Sequence, residues 1–218
     1  MDNANLDHQF GSATYELNSS SVIKFELKSA IGRLFSKKNR VAQSPLLQIG
    51  CGPNIFDEFE NVDFYTMRFW QAKHIGHDLR YPLPYGNAVF EGAFSEHTLE
   101  HLPSRYAIKL LAEVKRVLKP GSVFRISVPD LKQYIDFYNG NSSNPEFKKF
   151  SSGCEAIWSL TQNWTHLSCW DSSMLVEKLL EVGFQSAKKT AYLEGSDKRL
   201  LRDSKDRQWE SVYVEAIV

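Results

Sequence analysis

The sequence predicts a single α/β sandwich built on a mainly parallel, seven-stranded sheet whose last strand runs antiparallel. Short apolar runs alternate with helix-length amphipathic stretches at intervals too short for two domains. Seven runs qualify as strands, near 46–49, 60–65, 74–77, 88–95, 122–128, 186–193 and 211–218. The last follows its predecessor through the charged segment EGSDKRLLRDSKDRQ rather than a helix, a connection that suits antiparallel neighbours. Residues 45–218 hold this domain, with a lid-like insertion over about 138–170. Residues 1–44 precede it as an arm and a basic amphipathic helix.

Each element has its own signal. Residues 1–18 read as a polar tail. From Ser19, a candidate N-cap, SSSVIKFELKSAIGRLF spaces Ile23, Leu27, Ile31 and Leu34 along one helix face. Lys24, Lys28, Arg33, Lys37, Lys38 and Arg40 stand against Glu26 alone, so this stretch is strongly basic. Such a helix either lies over the domain edge with its lysines in water, or offers residues 19–40 to an anionic substrate or a membrane surface. The run LLQI is a buried strand, and Gly50 and Gly52 follow at its carboxyl end. The next two strands close on Asp63 and Asp78. In SRYAIKLLAEVKRVLKPG, Ala107, Leu111, Val114 and Leu118 form a helical stripe, with Ser104 as cap and Pro120–Gly121 as stop. An alternating strand then leads into Pro129 and Asp130. The Asn/Ser/Gly-rich stretch 138–153 reads as a loop or lid. DSSMLVEKLLEVGF is a second helix, with Asp171 or Ser172 as cap and Gly183 as a left-handed terminator.

Composition excludes several classes. Twenty-six Lys plus Arg balance 26 Asp plus Glu, so no global basic field exists to hold a phosphate backbone and a nucleic-acid partner is disfavoured. Cys51, Cys154 and Cys169 match no zinc or redox spacing, and no metal-ligating set is assigned. No secretory signal or spanning segment is visible, which makes the cytoplasm the expected compartment.

In an open α/β sheet, ligands sit outside the carboxyl ends of the strands, where Gly50, Gly52, Asp63 and Asp78 would converge. One carboxylate can accept from both hydroxyls of a ribose and another from an exocyclic amine, the shape of an adenosine site. A dinucleotide fingerprint is not met, since Ile55 stands where a small third residue is wanted, and there is no P-loop.

The runs LLQIGCGPN, NVDFY, HDLRYPLPYGNAVFEGAFSEHTLEHLPS and LLAEVKRVLKPGSVFRISVPDL together resemble the class I S-adenosylmethionine-dependent methyltransferases, with a Rossmann-like sandwich. The likeness runs from about Pro45 to Leu131 and resumes in HLSCWDSSMLVEKLLEVGF and ESVYVEAIV. It implies S-adenosyl-L-methionine as cofactor. Gly50, Cys51 and Gly52 would lie against its methionine part, and Asp63 would bind the ribose hydroxyls. Asp78 would bind the adenine amine while Leu79 packs on the ring, and Ser95, Glu96 and His97 would line the reactive sulfonium. The chain departs from the family pattern at Gln48, where an acidic residue is common, and at Asn54, where a third glycine is. The stretch between Gly52 and Asp63 is too short for a full first helix.

The reaction expected is methyl transfer to an oxygen or nitrogen of a small-molecule, sugar or lipid-linked acceptor. The alternative, kept alive by Gln48, is a catalytically silent binding or scaffold protein with the same fold. Where the acceptor must lose a proton, His97 and His166 are the candidate bases, with His101 one turn beyond His97. Each also has an ordinary structural reading, holding a loop or closing the lid. Trp158, Trp164 and Trp170 would stack on an acceptor or fill core. Arg202, Lys205 and Arg207 would bind an acidic acceptor, although Asp203 and Asp206 beside them favour a solvated loop. Cys51 reads as a small filler beneath the glycine turn.

Overall fold

The computed structural model describes residues 19–35, 39–64 and 73–218. The helices are α1 (Ser19–Phe35), α2 (Ser104–Val117), α3 (Leu131–Tyr138), α4 (Gly153–Gln162) and α5 (Ser172–Glu181). The strands are β1 (Leu46–Ile49), β2 (Phe59–Asp63), β3 (Ile75–Gly76), β4 (Phe90–Glu96), β5 (Leu118–Pro129), β6 (Ser186–Thr190) and β7 (Ser211–Ile217). They form one sheet in the order β3-β2-β1-β4-β5-β7-β6. β1 to β5 pair in parallel, and β7 is antiparallel to both its neighbours, as the loop before it predicts. The chain leaves β1 toward β3 and returns on the other side with β4. Such a reversal splays the connections and opens a crevice at the carboxyl ends of β1 and β4.

The two faces of the sheet are covered differently. On one, Leu47, Ile49, Phe124, Ile126, Val212 and Val214 meet the apolar stripes of α2 and α5 in the main core. α5 starts on Asp171, which accepts from the Met174 amide at 2.8 Å, and Gly183 follows its end at φ +97°. α2 departs from its expected limits. Pro103 takes the cap position without a side-chain bond, and the helix passes at Leu118 directly into β5. Pro120 and Gly121 therefore lie inside the strand, where the pairing with β4 shifts register between Phe90 and Gly92. Proline has no N–H for a ladder and is tolerated at such a break.

On the other face no helix follows β1 among the described residues, in keeping with the short Gly52–Asp63 stretch. The β6–β7 connection covers it, with Leu200 packing on Leu46, Phe59 and Phe94. An irregular cover brings backbone groups that must be hydrogen-bonded. The sheet supplies the partners through a row of paired positions, Asn61, Gln48, Phe94, Arg125 and Glu215. Arg125, fully buried, donates to the carbonyls of Ala191 and Glu194 and makes a bidentate pair with Asp203 at 2.8 and 2.5 Å. Glu215 accepts from the Ser196 amide and hydroxyl at 2.9 Å each. Asp203 thus belongs to the interior, which corrects the expectation of a solvated loop around it.

The insertion is a packed unit rather than an open loop. Tyr134 on α3, Phe147, and Ala156 and Leu160 on α4 form a separate apolar cluster, with Phe137, Phe150 and Trp209 against it. The expected arm 1–18, the side chain of Ser19, and Lys37, Lys38 and Tyr65 lie outside the described residues. α1 differs most from its expected packing. Its stripe of Ile23, Leu27, Ile31 and Leu34 is exposed, and the helix is held by polar and aromatic contacts from its other side. Phe25 stacks on Phe64 at 4.4 Å, Arg80 bridges to Glu26, and Arg33 reaches Asp78 at 2.8 Å. No described helix is long and apolar enough to cross a membrane.

Candidate functional site

The crevice begins at the glycine turn. Gly50 and Gly52 adopt φ +69° and +51°, a region that costs an L-residue strain and glycine nothing. A Cβ on Gly50 would sit 2.0 Å from the Thr98 hydroxyl, so β1 and the turn after β4 touch only because that Cβ is missing. A Cβ on Gly52 would meet nothing within 4 Å, leaving its outer side open to a ligand. Asp63 at the end of β2 fixes the turn, its two oxygens accepting from the amides of Gly52 and Phe64 at 2.5 Å each. Cys51 is buried beneath. Burial and then the Asp63 charge push its thiol up to about 12, so it is neither thiolate nor nucleophile at neutral pH.

Gln48 is buried with no hydrogen-bond partner for its Oε1. It lies in the row of paired positions beneath the β6–β7 connection. Asp78 is buried, and its carboxylate accepts from Arg80 N at 3.1 Å, Arg80 Nε at 2.9 Å, a terminal Arg80 nitrogen at 2.9 Å and Arg33 at 2.8 Å. Four donors fill a carboxylate's lone pairs. Burial alone would raise its pKa, but the guanidiniums of Arg80 and Arg33 hold it below the ordinary aspartate range. An adenine amine would bond there by exchange with a donor, and Arg33 on α1 is the more exposed of the two. Leu79 packs into the main core.

Past β4, the expected sulfonium-lining residues have firm partners. Ser95 donates to the Ile49 carbonyl at 3.2 Å, joining β4 to β1. The Glu96 carboxylate accepts from the Ser204 amide at 2.9 Å and from its hydroxyl. His97 takes φ +48°, unusual for a side-chain-bearing residue, and its ring spans two partners. Its Nε2 lies 2.7 Å from the Ser211 hydroxyl, which itself donates to the Arg207 carbonyl at 2.6 Å. Nε2 is therefore the donor of that bond. Its Nδ1 lies 3.3 Å from Glu100 Oε1. Both ring nitrogens of His97 thus have neighbours within the protein.

A short 3-10 turn, Leu99–His101, carries the next cluster. Its Glu100 carbonyl accepts from the amides of Leu167 and Ser168 at 2.6 and 3.1 Å, which draws His166 alongside. The rings of His101 and His166 are 4.9 Å apart, and ligating atoms of Glu100, His101 and His166 all lie within 4.8 Å of one another. Both Glu100 carboxylate oxygens are buried without an aligned hydrogen bond, His97 being in ion-pair range only. Burial opposes the Glu100 charge, yet His97 and then His101 hold its pKa below the usual range. Burial lowers that of His101. Sequence reading missed this grouping, because His166 is distant in the chain from the LEHL turn and the 167–168 bonds bring it there.

His166 also lines a cavity of about 300 Å³ under the insertion, with Tyr134, Lys149, Trp164, Arg207 and Trp209. Trp209 was not anticipated as a site residue, although an isolated indole in a charged loop was a signal. Lys149 sits 3.4 Å over its ring. Arg207 is on this wall, whereas Arg202 stacks near Phe56 outside it. Of the three tryptophans, Trp170 is core, Trp158 is exposed and Trp164 faces the cavity.

Residues 60–126 match the family model of a methyltransferase domain, which is under half of the chain. No curated protein sequence matches. A solved S-adenosylmethionine-dependent methyltransferase from Thermotoga maritima superposes with a TM-score of 0.50 at 14% identity, covering 88% of each chain. A candidate exported protein from Bordetella parapertussis gives 0.50 at 12% identity over 88% of this chain and 67% of its own. At such identities these likenesses establish the fold.

Proposed function

We propose, from the match of residues 60–126 to a methyltransferase domain, transfer of the methyl group of S-adenosylmethionine to an oxygen or nitrogen of a small molecule held under the insertion. The carbon–sulfur bond of the sulfonium breaks as the new carbon–oxygen or carbon–nitrogen bond forms, and the acceptor's proton departs toward the histidine cluster. In-line displacement of this kind is carried by positioning and exclusion of water. One observation supports the reading above the others: a single short turn joins the two half-sites. Thr98 abuts Gly50 at the cofactor end, and the same turn carries Glu100 and His101 to His166 on the cavity wall.

The cavity favours a particular class of acceptor. Trp164 and Trp209 offer flat apolar surface for a ring or sugar, and Lys149 offers a cation for a carboxylate or phosphate. Arg207 is already paired with Glu210 at 3.2 Å. Between the two histidines expected to serve as base, the surroundings of His166 suit activation of the acceptor. Its Nδ1 is 2.6 Å from the Leu160 carbonyl, so in the neutral ring Nδ1 carries the proton and Nε2 the lone pair. The exposed stripe of α1 gives a lipid-linked acceptor a surface to lie on.

A second reading, a silent protein of the same fold, is favoured by the saturated Asp78 carboxylate and by the Ser204 contacts of Glu96. Calorimetry with S-adenosylmethionine and S-adenosylhomocysteine separates the two. Binding that weakens in Asp63→Asn supports the enzyme reading. A chain that binds neither ligand is the silent one. Release of S-adenosylhomocysteine across a panel of aromatic and sugar carboxylates and phosphates then identifies the acceptor.

A further inference from the structure

We propose that Glu100, His101 and His166 form a binding site for one divalent first-row transition-metal ion. Three features of the molecule carry this. The first is geometry: two atoms bound to one ion at bond lengths near 2.1 Å stand at most about 4.2 Å apart. The three ligating atoms here lie within 4.8 Å, a gap that small side-chain rotations close. The second is the carboxylate without hydrogen bonds. Glu100 is fully buried with neither oxygen hydrogen-bonded and, among the described residues, with His97 Nδ1 alone in ion-pair range of Oε1. A buried carboxylate lacking hydrogen bonds is costly, and a cation between it and two imidazoles supplies what is missing.

The third feature is the surroundings of the ligands. A metal-binding imidazole gives its other N–H to a carbonyl or carboxylate, which fixes its tautomer and direction. The His166 Nδ1 proton goes to the Leu160 carbonyl. His97, anchored through Ser211, has its Nδ1 3.3 Å from Glu100 Oε1 and limits where the carboxylate can turn. Trp164 and Thr165, immediately before His166, both adopt left-handed backbone at φ 59° and 61°, so the chain accepts strain to deliver that imidazole.

Two imidazoles and one carboxylate select zinc, manganese, iron or cobalt over magnesium and calcium, which prefer all-oxygen shells. Three protein ligands leave at least one position free, and His166 lies on the wall of the acceptor cavity. An ion here would bind the acceptor's oxygen or nitrogen and lower its pKa, so that the proton would leave to water before methyl transfer, and His166, as a ligand, would act through the ion rather than as a base. This use rests on the proposed methyl transfer; the site itself does not.

The test is a titration of tag-free, metal-stripped full-length protein with cobalt(II), followed by visible absorption, with zinc(II) as competitor. The expected result is saturation at one equivalent, displacement by zinc, and no thiolate charge-transfer band. His166→Ala, whose side chain is only half-buried, should weaken binding at least ~100-fold, and Glu100→Gln should do the same. His97→Gln should weaken it ~10- to 100-fold, as loss of a neighbour that orients a ligand does. His74→Gln, away from the cluster, should leave it unchanged. Absence of saturable binding, a thiolate band, or wild-type affinity in His166→Ala would overturn the proposal. If Glu100→Gln does not fold, His166→Ala decides alone, with its S-adenosylhomocysteine affinity as the control for folding. One-equivalent binding without turnover would count against the methyl-transfer reading and leave the metal site standing.

Discussion

Replacing Gly50 by alanine tests whether the glycine turn is required for folding, for ligand access, or for both. Two costs apply at this position. A left-handed backbone costs an L-residue about 1–2 kcal/mol. The new Cβ would also lie 2.0, 2.5 and 2.8 Å from three atoms of Thr98, and overpacking of this kind costs about 1–3 kcal/mol. Together Gly50→Ala should destabilise by roughly 2–5 kcal/mol. Gly52→Ala meets no atom within 4 Å and should cost only the backbone part, about 1–2 kcal/mol. Its Cβ fills the open side of the turn, so it should lower cofactor affinity at least tenfold, about 1.4 kcal/mol, while folding stays largely intact. Thr98→Ala in the Gly50→Ala background should recover part of the loss, because the clashing hydroxyl and methyl go, and the double variant should be more stable than additivity predicts. Urea unfolding followed by tryptophan fluorescence measures the first quantity, and calorimetry with S-adenosylhomocysteine the second. Equal destabilisation by the two alanines would refute the Thr98 contact, and unchanged affinity in Gly52→Ala would remove the turn from the ligand site.

Four further outcomes are expected. Asp203→Ala leaves the Arg125 guanidinium buried without its bidentate partner and should cost about 3–5 kcal/mol, whereas Asp136→Ala at the exposed Lys132 pair should cost below about 0.5 kcal/mol in the same urea titration. Arg33→Ala frees one acceptor site on Asp78 and should tighten S-adenosylmethionine binding by calorimetry; weaker binding would mean that Arg33 supports the site instead of competing for it. Asp78 has a depressed folded pKa, so its stabilisation is complete above the ordinary aspartate value of about 4 and is lost as pH falls through the lower folded value. Asp78→Asn should accordingly flatten the acid limb of a stability–pH profile, and an unaltered limb would count against it. Under iodoacetamide at mildly alkaline pH, exposed Cys154 should react first and Cys51 only on unfolding, read by peptide mass mapping.

The methyltransferase-type sheet was legible in the chain because strands announce themselves locally. LLQI reads as buried from its own composition, and the loop before β7 fixes an antiparallel partner without reference to anything distant. Gly50, Gly52 and Asp63 could be assembled for the same reason, since the topology rule places strand ends together once strands are known. The helical content of the insertion escaped notice because its apolar positions face a satellite cluster around Tyr134 and Phe147 rather than the sheet.

Other features depend on contacts between segments that sequence spacing does not relate. The stripe of α1 read as a buried face, yet Glu26 and Arg33 on the opposite side found Arg80 and Asp78, and ion pairs with a buried carboxylate set the helix's orientation. Asp203 read as a loop charge until the missing first helix left a sheet face for the β6–β7 connection to cover, with Arg125 waiting beneath it. His97 could be put after β4 from sequence, but its contact with Ser211, 114 positions on, could not. His166 met Glu100 and His101 through two backbone hydrogen bonds to the Glu100 carbonyl and one from the Ser168 hydroxyl to the Leu99 carbonyl. A residue's own chemistry and its periodic neighbours fix what element it joins, whereas which charges and imidazoles share a buried volume is decided by packing, where desolvation makes each unpaired group costly enough to select its partner.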